Sequence, residues 1–269
     1  MNKESWNIFN GWGFEIKKDT SYGWSVFDKM SSLINSIFET RKTILDELHR
    51  IWDVKLKVYG GEPSNINWNK FRPLKLAREE DWSDWLFFLI IESKTGFFVH
   101  DLLKPDRSNQ SDLTADPAVS GREISASGYR ADLILKWLNN SYTHIEVKIG
   151  DESLGKTFNT GEVMRKQHNV PQHDWSDYIL LLDYQIDYWL SVSEKKDLFI
   201  QHITWNDVAL SLRKSLLFSD ESVTWKVWAY SYLGAVEQLL LHFKNKFNQS
   251  DIVKIDKKIS IMQEALING

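Results

Sequence analysis

The stretch 128–150, GYRADLILKWLNNSYTHIEVKIG, constrains the fold more than any other part of the chain. Two apolar runs, 131–137 and 143–149, flank an Asn-Asn-Ser turn signal, the pattern of a β-hairpin. In the second run Ile145, Val147 and Ile149 alternate with His144, Glu146 and Lys148. Successive side chains of a strand point to opposite faces, so one face is apolar and the other carries the charges. That polar face is the candidate site.

Asp132 and Glu146 are symmetric about Asn139, and a hairpin turning there sets them opposite each other, with Cβ atoms roughly 5 Å apart. Like charges that close repel, which predicts a cation between them. Two carboxylates at this spacing suit a hard divalent ion, Mg²⁺ with Mn²⁺ as a substitute, because such an ion keeps waters that substrate oxygens can replace. Lys148 falls on the same face two residues beyond Glu146, where its ammonium can orient a water or offset charge on a phosphate. An ordinary amphipathic hairpin with a charged face would carry the same letters, and Glu-X-Lys triplets alone are common in strands.

The order Asp132, hairpin, Glu146-Val147-Lys148 resembles the core of the PD-(D/E)XK nuclease superfamily, the restriction-endonuclease-like fold. The lead-in Gly128-Tyr129-Arg130-Ala131-Asp132 is similar to that family's approach to its acidic residue. The literal Pro105-Asp106 dipeptide is set aside, because no strand pattern leads into it and Glu146 lies far downstream. The resemblance covers 74–217. It implies an α/β fold with a mixed central sheet flanked by helices; the N-terminal and C-terminal helical additions, read from periodicity, lie outside it.

The resemblance also implies a metal-dependent nuclease in which Asp132 and Glu146 hold Mg²⁺, the backbone carbonyl of Val147 is a further ligand, and Lys148 positions the attacking water. In the family a helix before the sheet often contributes another carboxylate, for which Glu80 or Asp84 is the match. Favourable charge in a first helical turn explains the same acids. Many relatives carry a Gln and an aromatic in the helix after Glu-X-Lys. Lys156 and Phe158 match that pair loosely and Gln167 comes late, so the subfamily stays open. The helix over 154–168 offers Lys156, Arg165, Lys166 and Gln167 as nucleic-acid contacts, with DNA expected before RNA. Small members of the superfamily often serve in restriction or anti-phage defence, which makes a homodimer or a partner subunit of a defence complex the expected assembly.

At 269 residues the chain fits one elaborated domain or a domain with an appended helical part. The expected organisation is an N-terminal arm and long helix over 1–73, the nuclease-like core over 74–217, and a C-terminal helical layer packed on the core over 218–269. Cysteine is absent, which excludes disulfides and thiolate zinc sites. No apolar run is long enough to span a bilayer and the polar start MNKESWN does not read as a signal peptide, so a cytoplasmic protein without a membrane partner is expected.

The net charge of −4 does not advertise a nucleic-acid binder. Charge is uneven, however: Lys55, Lys57, Lys70, Arg72, Lys75 and Arg78 precede Glu79, Glu80, Asp81 and Asp84. A basic patch beside carboxylates suits a metal-dependent phosphodiesterase, and a solvated surface has the same composition. The 13 tryptophans read mainly as core anchors, with base stacking as the alternative for a few.

Elsewhere the periodicity predicts a helix over 25–52 with Ser25 as N-cap, a loop over 65–73 and a helix over 74–91. A first strand is expected over 97–103, a long polar loop over 104–121 and a strand over 122–126. Strands over 178–182 and 198–203 follow, then a helix to 217 capped by Thr204 or Asn206, and amphipathic helices over 225–243 and 251–266. His144 could serve as a relay or an extra ligand, although no paired zinc spacing accompanies it or His100. Two rival readings stand beside the nuclease: a silent nuclease-fold subunit that binds nucleic acid or organises a complex, and a helical interaction module.

Overall fold

The computed structural model describes residues 20–68, 76–104, 115–116, 119–150, 157–194, 200–243 and 247–267. Three helices come first: α1 (Thr20–Lys55), α2 (Glu79–Ile91) and α3 (Phe97–Leu103). The hairpin region supplies β1 (Gly121–Ala126), β2 (Tyr129–Lys136) and β3 (Tyr142–Val147). Then α4 (Thr157–Gln167) leads to β4 (Trp175–Leu181), and α5 (Ile186–Glu194) leads to β5 (Gln201–Thr204). Helices α6 (Trp205–Phe218), α7 (Val223–Ala235) and α8 (Ile252–Ile267) complete the chain.

The result is an α/β architecture with one five-stranded mixed sheet in the order β1-β2-β3-β4-β5. Strands β1 to β3 form an antiparallel meander, because tight turns join them. Between β1 and β2 the turn residues Ser127 and Gly128 both take positive φ, 48° and 82°, as a two-residue hairpin turn requires. Gly128 therefore serves the lead-in to Asp132 as a turn residue. At the next turn Asn140 adopts φ 66° and the Asn139 carboxamide oxygen accepts from the Ser141 amide at 2.9 Å. Strands β4 and β5 run parallel to β3, each reached through a helical crossover.

Both faces of the sheet are covered. Leu133, Leu135, Ile145, Val147, Tyr178 and Leu180 join the main core, which also takes in Trp52, Leu86, Phe98, Leu212, Leu233 and Ile259 from the helices on that side. On the opposite face Ile134 and Trp175 pack with Met164 of α4, while Ile179 and Leu181 pack with Trp189 of α5. The charged face of β3 is thus roofed by helix instead of facing water.

Several tryptophans tie this core to the backbone, each indole N–H finding a carbonyl: Trp52 donates to Met262 at 3.2 Å, Trp225 to Leu89 at 2.8 Å and Trp68 to Pro63 at 2.7 Å. A buried ion cluster lies among the helices. Arg213 of α6 makes paired hydrogen bonds to Glu237 and to Glu62 at 2.7–3.1 Å and rests 4.6 Å from the Trp52 ring centre. Lys258 of α8 adds a second cation 3.5 Å from Glu62. Glu237 belongs to a π-helical turn, Val236–Leu240, that continues α7.

Two expectations are corrected. The segment 97–103 is helix α3 and not a strand: its buried residues Phe98, Val99, Leu102 and Leu103 recur at helical spacing, and a short apolar run does not by itself distinguish the two. Ser25 does not cap α1, because the helix is already running at Thr20. The loop expected over 104–121 falls largely outside the described residues, as do Pro105 and Asp106; at its end Ala115 bridges to Trp137. Among the described residues no helix is long and apolar enough to cross a membrane.

Candidate functional site

Leu133 pairs with Ile145 and Ile134 with His144 across the β2–β3 hairpin, and this register continued by one residue sets Asp132 opposite Glu146. A direct bond locks the two strands at that level: the Val147 amide donates to Asp132 Oδ2 at 2.8 Å. Asp132 and Glu146 are 8 % and 7 % exposed, so two carboxylates share a nearly dry place. Burial, with Glu146 as the second cause, pushes the Asp132 carboxyl up to about 7.

Lys148 supplies the compensating charge. Its Nζ lies 2.9 Å from Glu146 Oε1 and 3.2 Å from Glu79 Oε1, and the side chain is buried. Burial disfavours the ammonium, yet Glu146, Glu79 and Asp132 outweigh it and hold the Lys148 pKa above the usual lysine range. Around Glu146 the balance runs the other way: burial alone would raise its pKa, and His144 and Lys148 bring it below the ordinary carboxylate value. The backbone following the strand is held too, since Trp205 at the start of α6 donates to the Lys148 carbonyl at 3.0 Å.

The helix carboxylate that reaches this cluster is Glu79. It accepts from Lys148 Nζ and, through its other oxygen, from the Ile149 amide at 3.2 Å. Glu80, one residue on, lies 3.5 Å from Arg130, and Asp84 pairs with Arg122. At the helix start Asp81 accepts from the Ala77 and Arg78 amides at 2.9 and 3.0 Å, and Glu79 in the same turn reaches the end of β3.

His144 is fully enclosed behind Glu146. Its Nδ1 lies 2.9 Å from Asp177 Oδ1 on β4, and its Nε2 lies 3.6 Å from Glu146 Oε2, a close charge contact longer than a hydrogen bond. Burial disfavours the imidazolium, but the Asp177 hydrogen bond and Glu146 overcome it and raise the pKa to about 9.

The remaining candidates sit apart. Arg165 donates to Glu162 and to the Val170 carbonyl at 3.0 Å, and Lys166 pairs with Glu162 at 3.0 Å, so both are engaged within the end of α4. That end lies beside the start of β3, where the His168 and Tyr142 rings meet at 5.7 Å. Six residue steps along the strand separate Tyr142 from Lys148, about 20 Å at the usual rise, so Arg165, Lys166 and Gln167 are not brought to the cluster. Lys156 lies outside the described residues.

Among the described residues no group of three or more His, Cys, Asp or Glu side chains is arranged to hold a metal ion. The side-chain donors here are the Asp132 and Glu146 pair. A hard cation that takes only one or two carboxylates and completes its shell with water and phosphate oxygens fits that set. The fit is strengthened by Glu146 Oε2, a buried carboxylate oxygen without a hydrogen-bond partner. No family model, curated protein or solved structure matches the chain.

Proposed function

We propose that the protein is a metal-dependent phosphodiesterase of the PD-(D/E)XK type, cutting nucleic acid, DNA before RNA, on a restriction-endonuclease-like core. The observation that carries this reading is the opposition of Asp132 and Glu146 on one hairpin with the Lys148 ammonium beside them. A divalent ion bound there, Mg²⁺ or Mn²⁺, supplies Lewis-acid polarisation of a phosphoryl oxygen and lowers the pKa of a bound water. Asp132, Glu146 and the Val147 carbonyl are its ligands in this reading. The Val147 amide keeps the Asp132 carboxylate in place, and Lys148 orients the water and offsets charge on the phosphate. Glu79 restrains the Lys148 ammonium at the level of the two carboxylates.

A second reading, a silent nuclease-fold subunit that binds nucleic acid or organises a complex, is favoured by the burial of the whole cluster. The two separate in one experiment. Purified protein, Glu146→Ala and Lys148→Ala are incubated with circular DNA, linear DNA and RNA in Mg²⁺ or Mn²⁺. Cleavage by the parent alone is the expected result, and nicked circles identify an endonuclease. A parent that binds nucleic acid without cutting any of the substrates overturns the enzymatic reading in favour of the silent subunit. Service in a restriction or anti-phage system is the biological context proposed, by analogy with the family.

A further inference from the structure

The ring of His144 is held by two neighbours on β4. In the parallel register of β3 and β4, His144 stands beside Asp177 and Tyr142 beside Trp175. The Asp177 carboxylate holds Nδ1 at 2.9 Å, and the Trp175 ring lies over the imidazole with centroids 6.4 Å apart and planes inclined by 27°. Trp175 is itself stacked on Tyr142, centroids 6.1 Å apart. The ring therefore has little freedom to rotate, and its outer nitrogen is directed at the Glu146 carboxylate.

At that junction two atoms lack hydrogen bonds: His144 Nε2 and Glu146 Oε2, both buried and 3.6 Å apart. Unsatisfied buried polar atoms are rare because each costs about 1–3 kcal/mol, so a facing pair marks a contact that closes with a small shift of either side chain. Helix α4 supports the other end. A Cβ placed on Gly161 would overlap the Asp177 carboxylate, so the absence of a side chain there lets the helix backbone press directly on Asp177. A chain of contacts thus runs from Gly161 through Asp177 and His144 to Glu146.

We propose that His144 is a positioning residue for the divalent-ion site, orienting the Glu146 carboxylate from an anchor made by Asp177 and Gly161. The inference rests on the metal-site reading of Asp132 and Glu146. Carboxylates that ligate metals are commonly held by a second ring of hydrogen bonds, and loss of such a partner typically weakens metal affinity about 10- to 100-fold. The contact to Glu146 comes from a ring nitrogen with no other partner, which fits this role better than a purely packing one.

The test is Mn²⁺ binding, followed by the electron paramagnetic resonance of free Mn²⁺, in the full chain without nucleic acid. Parent, His144→Leu, His144→Gln and Asp177→Ala are compared, with thermal unfolding of each recorded in the absence of metal. His144→Leu and Asp177→Ala are expected to weaken Mn²⁺ binding about tenfold or more. His144→Gln, whose amide can donate to Glu146, is expected to recover most of the affinity. Mn²⁺ affinity unchanged within about twofold in folded His144→Leu overturns the inference, even if its unfolding temperature falls. Should His144→Leu fail to fold, unchanged affinity in Asp177→Ala, or no advantage of His144→Gln over it, has the same force. A parent without saturable Mn²⁺ binding overturns the metal-site reading and this inference with it, whereas binding by parent and variants alike overturns the inference alone.

Discussion

Glu79 and Lys148, 69 positions apart in sequence, meet at 3.2 Å where the first turn of α2 approaches the end of β3. The contact makes Glu79, and not its neighbour Glu80, the helix carboxylate that helps Glu146 hold the ammonium. Under the proposed nuclease function, Glu79→Gln is expected to lower cleavage about tenfold or more, by analogy with the loss of partners that orient a reactive site, while Glu80→Gln stays close to the parent. Single-turnover cleavage rates of the two variants decide the matter; equal loss in both would deny Glu79 its role.

The surroundings of Asp132 disfavour its ionised form. With its carboxyl pushed up to about 7, the ionised state is costly above neutrality when no divalent ion is present. Asp132→Asn retains an oxygen for the Val147 amide and removes the repulsion from Glu146. It is expected to stabilise the metal-free protein at pH 8 by up to about 4 kcal/mol while abolishing cleavage. Urea unfolding at pH 8 checks the first half. Added Mn²⁺ should raise the stability of the parent and leave Asp132→Asn unmoved, since only a ligand that binds the folded form shifts the equilibrium.

Arg213→Met tests the buried ion cluster. The guanidinium is completely enclosed and is the main partner of Glu62 and Glu237, so its removal strands Glu237 and leaves Glu62 with Lys258 alone. Breaking a buried pair from one side costs about 3–5 kcal/mol, and a loss of that size in chemical unfolding is expected. A change below 1 kcal/mol would mean that water reaches the cluster.

Acid should unfold the protein from this same region. Burial, reinforced by Lys258, lowers the His49 pKa from 6.5 to about 4. Burial works against the Glu62 carboxylate, but Arg213 and Lys258 carry it from 4.5 down to about 2. Glu221 is also lowered: burial opposes this, and hydrogen bonds from Ser93, Thr95 and Lys94 prevail. Each of these groups binds more protons unfolded than folded, so their stabilisation is lost as pH falls, through 6.5 to about 4 for His49 and through 4.5 to about 2 for Glu62. Asp132 has the opposite sign and gains stability as pH falls from about 7 to its ordinary value of 3.8. The expected profile is a shallow change between pH 7 and pH 4 and a steep loss below, steeper from the start in Asp132→Asn. Unfolding temperatures across this range would show it, and a parent most stable at pH 3 would contradict it.

The hairpin was legible because its information is local: the Asn-rich turn and the alternation on either side fix the register that opposes Asp132 and Glu146. Glu79 was missed by one position. Three successive acids open α2, and which of them faces the sheet is a detail of phase that periodicity does not resolve. The partnership of His144 with Asp177 was hidden for a different reason. It arises from parallel pairing of β3 with β4 across the α4 crossover, which packs on Asp177 at Gly161, and pairing over that distance leaves no spacing rule in the sequence. Gly161 signals that packing only once Asp177 is known to lie beneath it. Helix α3 is hard to tell from a strand in the sequence because seven residues make barely two turns.

The Arg213 cluster also determines how the chain can be divided. Its members come from the turn at Glu62, from α6, from the π-helical turn and from α8, so the charges that neutralise one another enter from both ends of the sequence. A fragment trimmed to 74–217 would keep the guanidinium and discard both carboxylates, along with the Trp52 ring beneath it. The hairpin that bears the site consequently has no minimal module to be excised in, and any shuffling of this region between chains must carry the flanking helices with it.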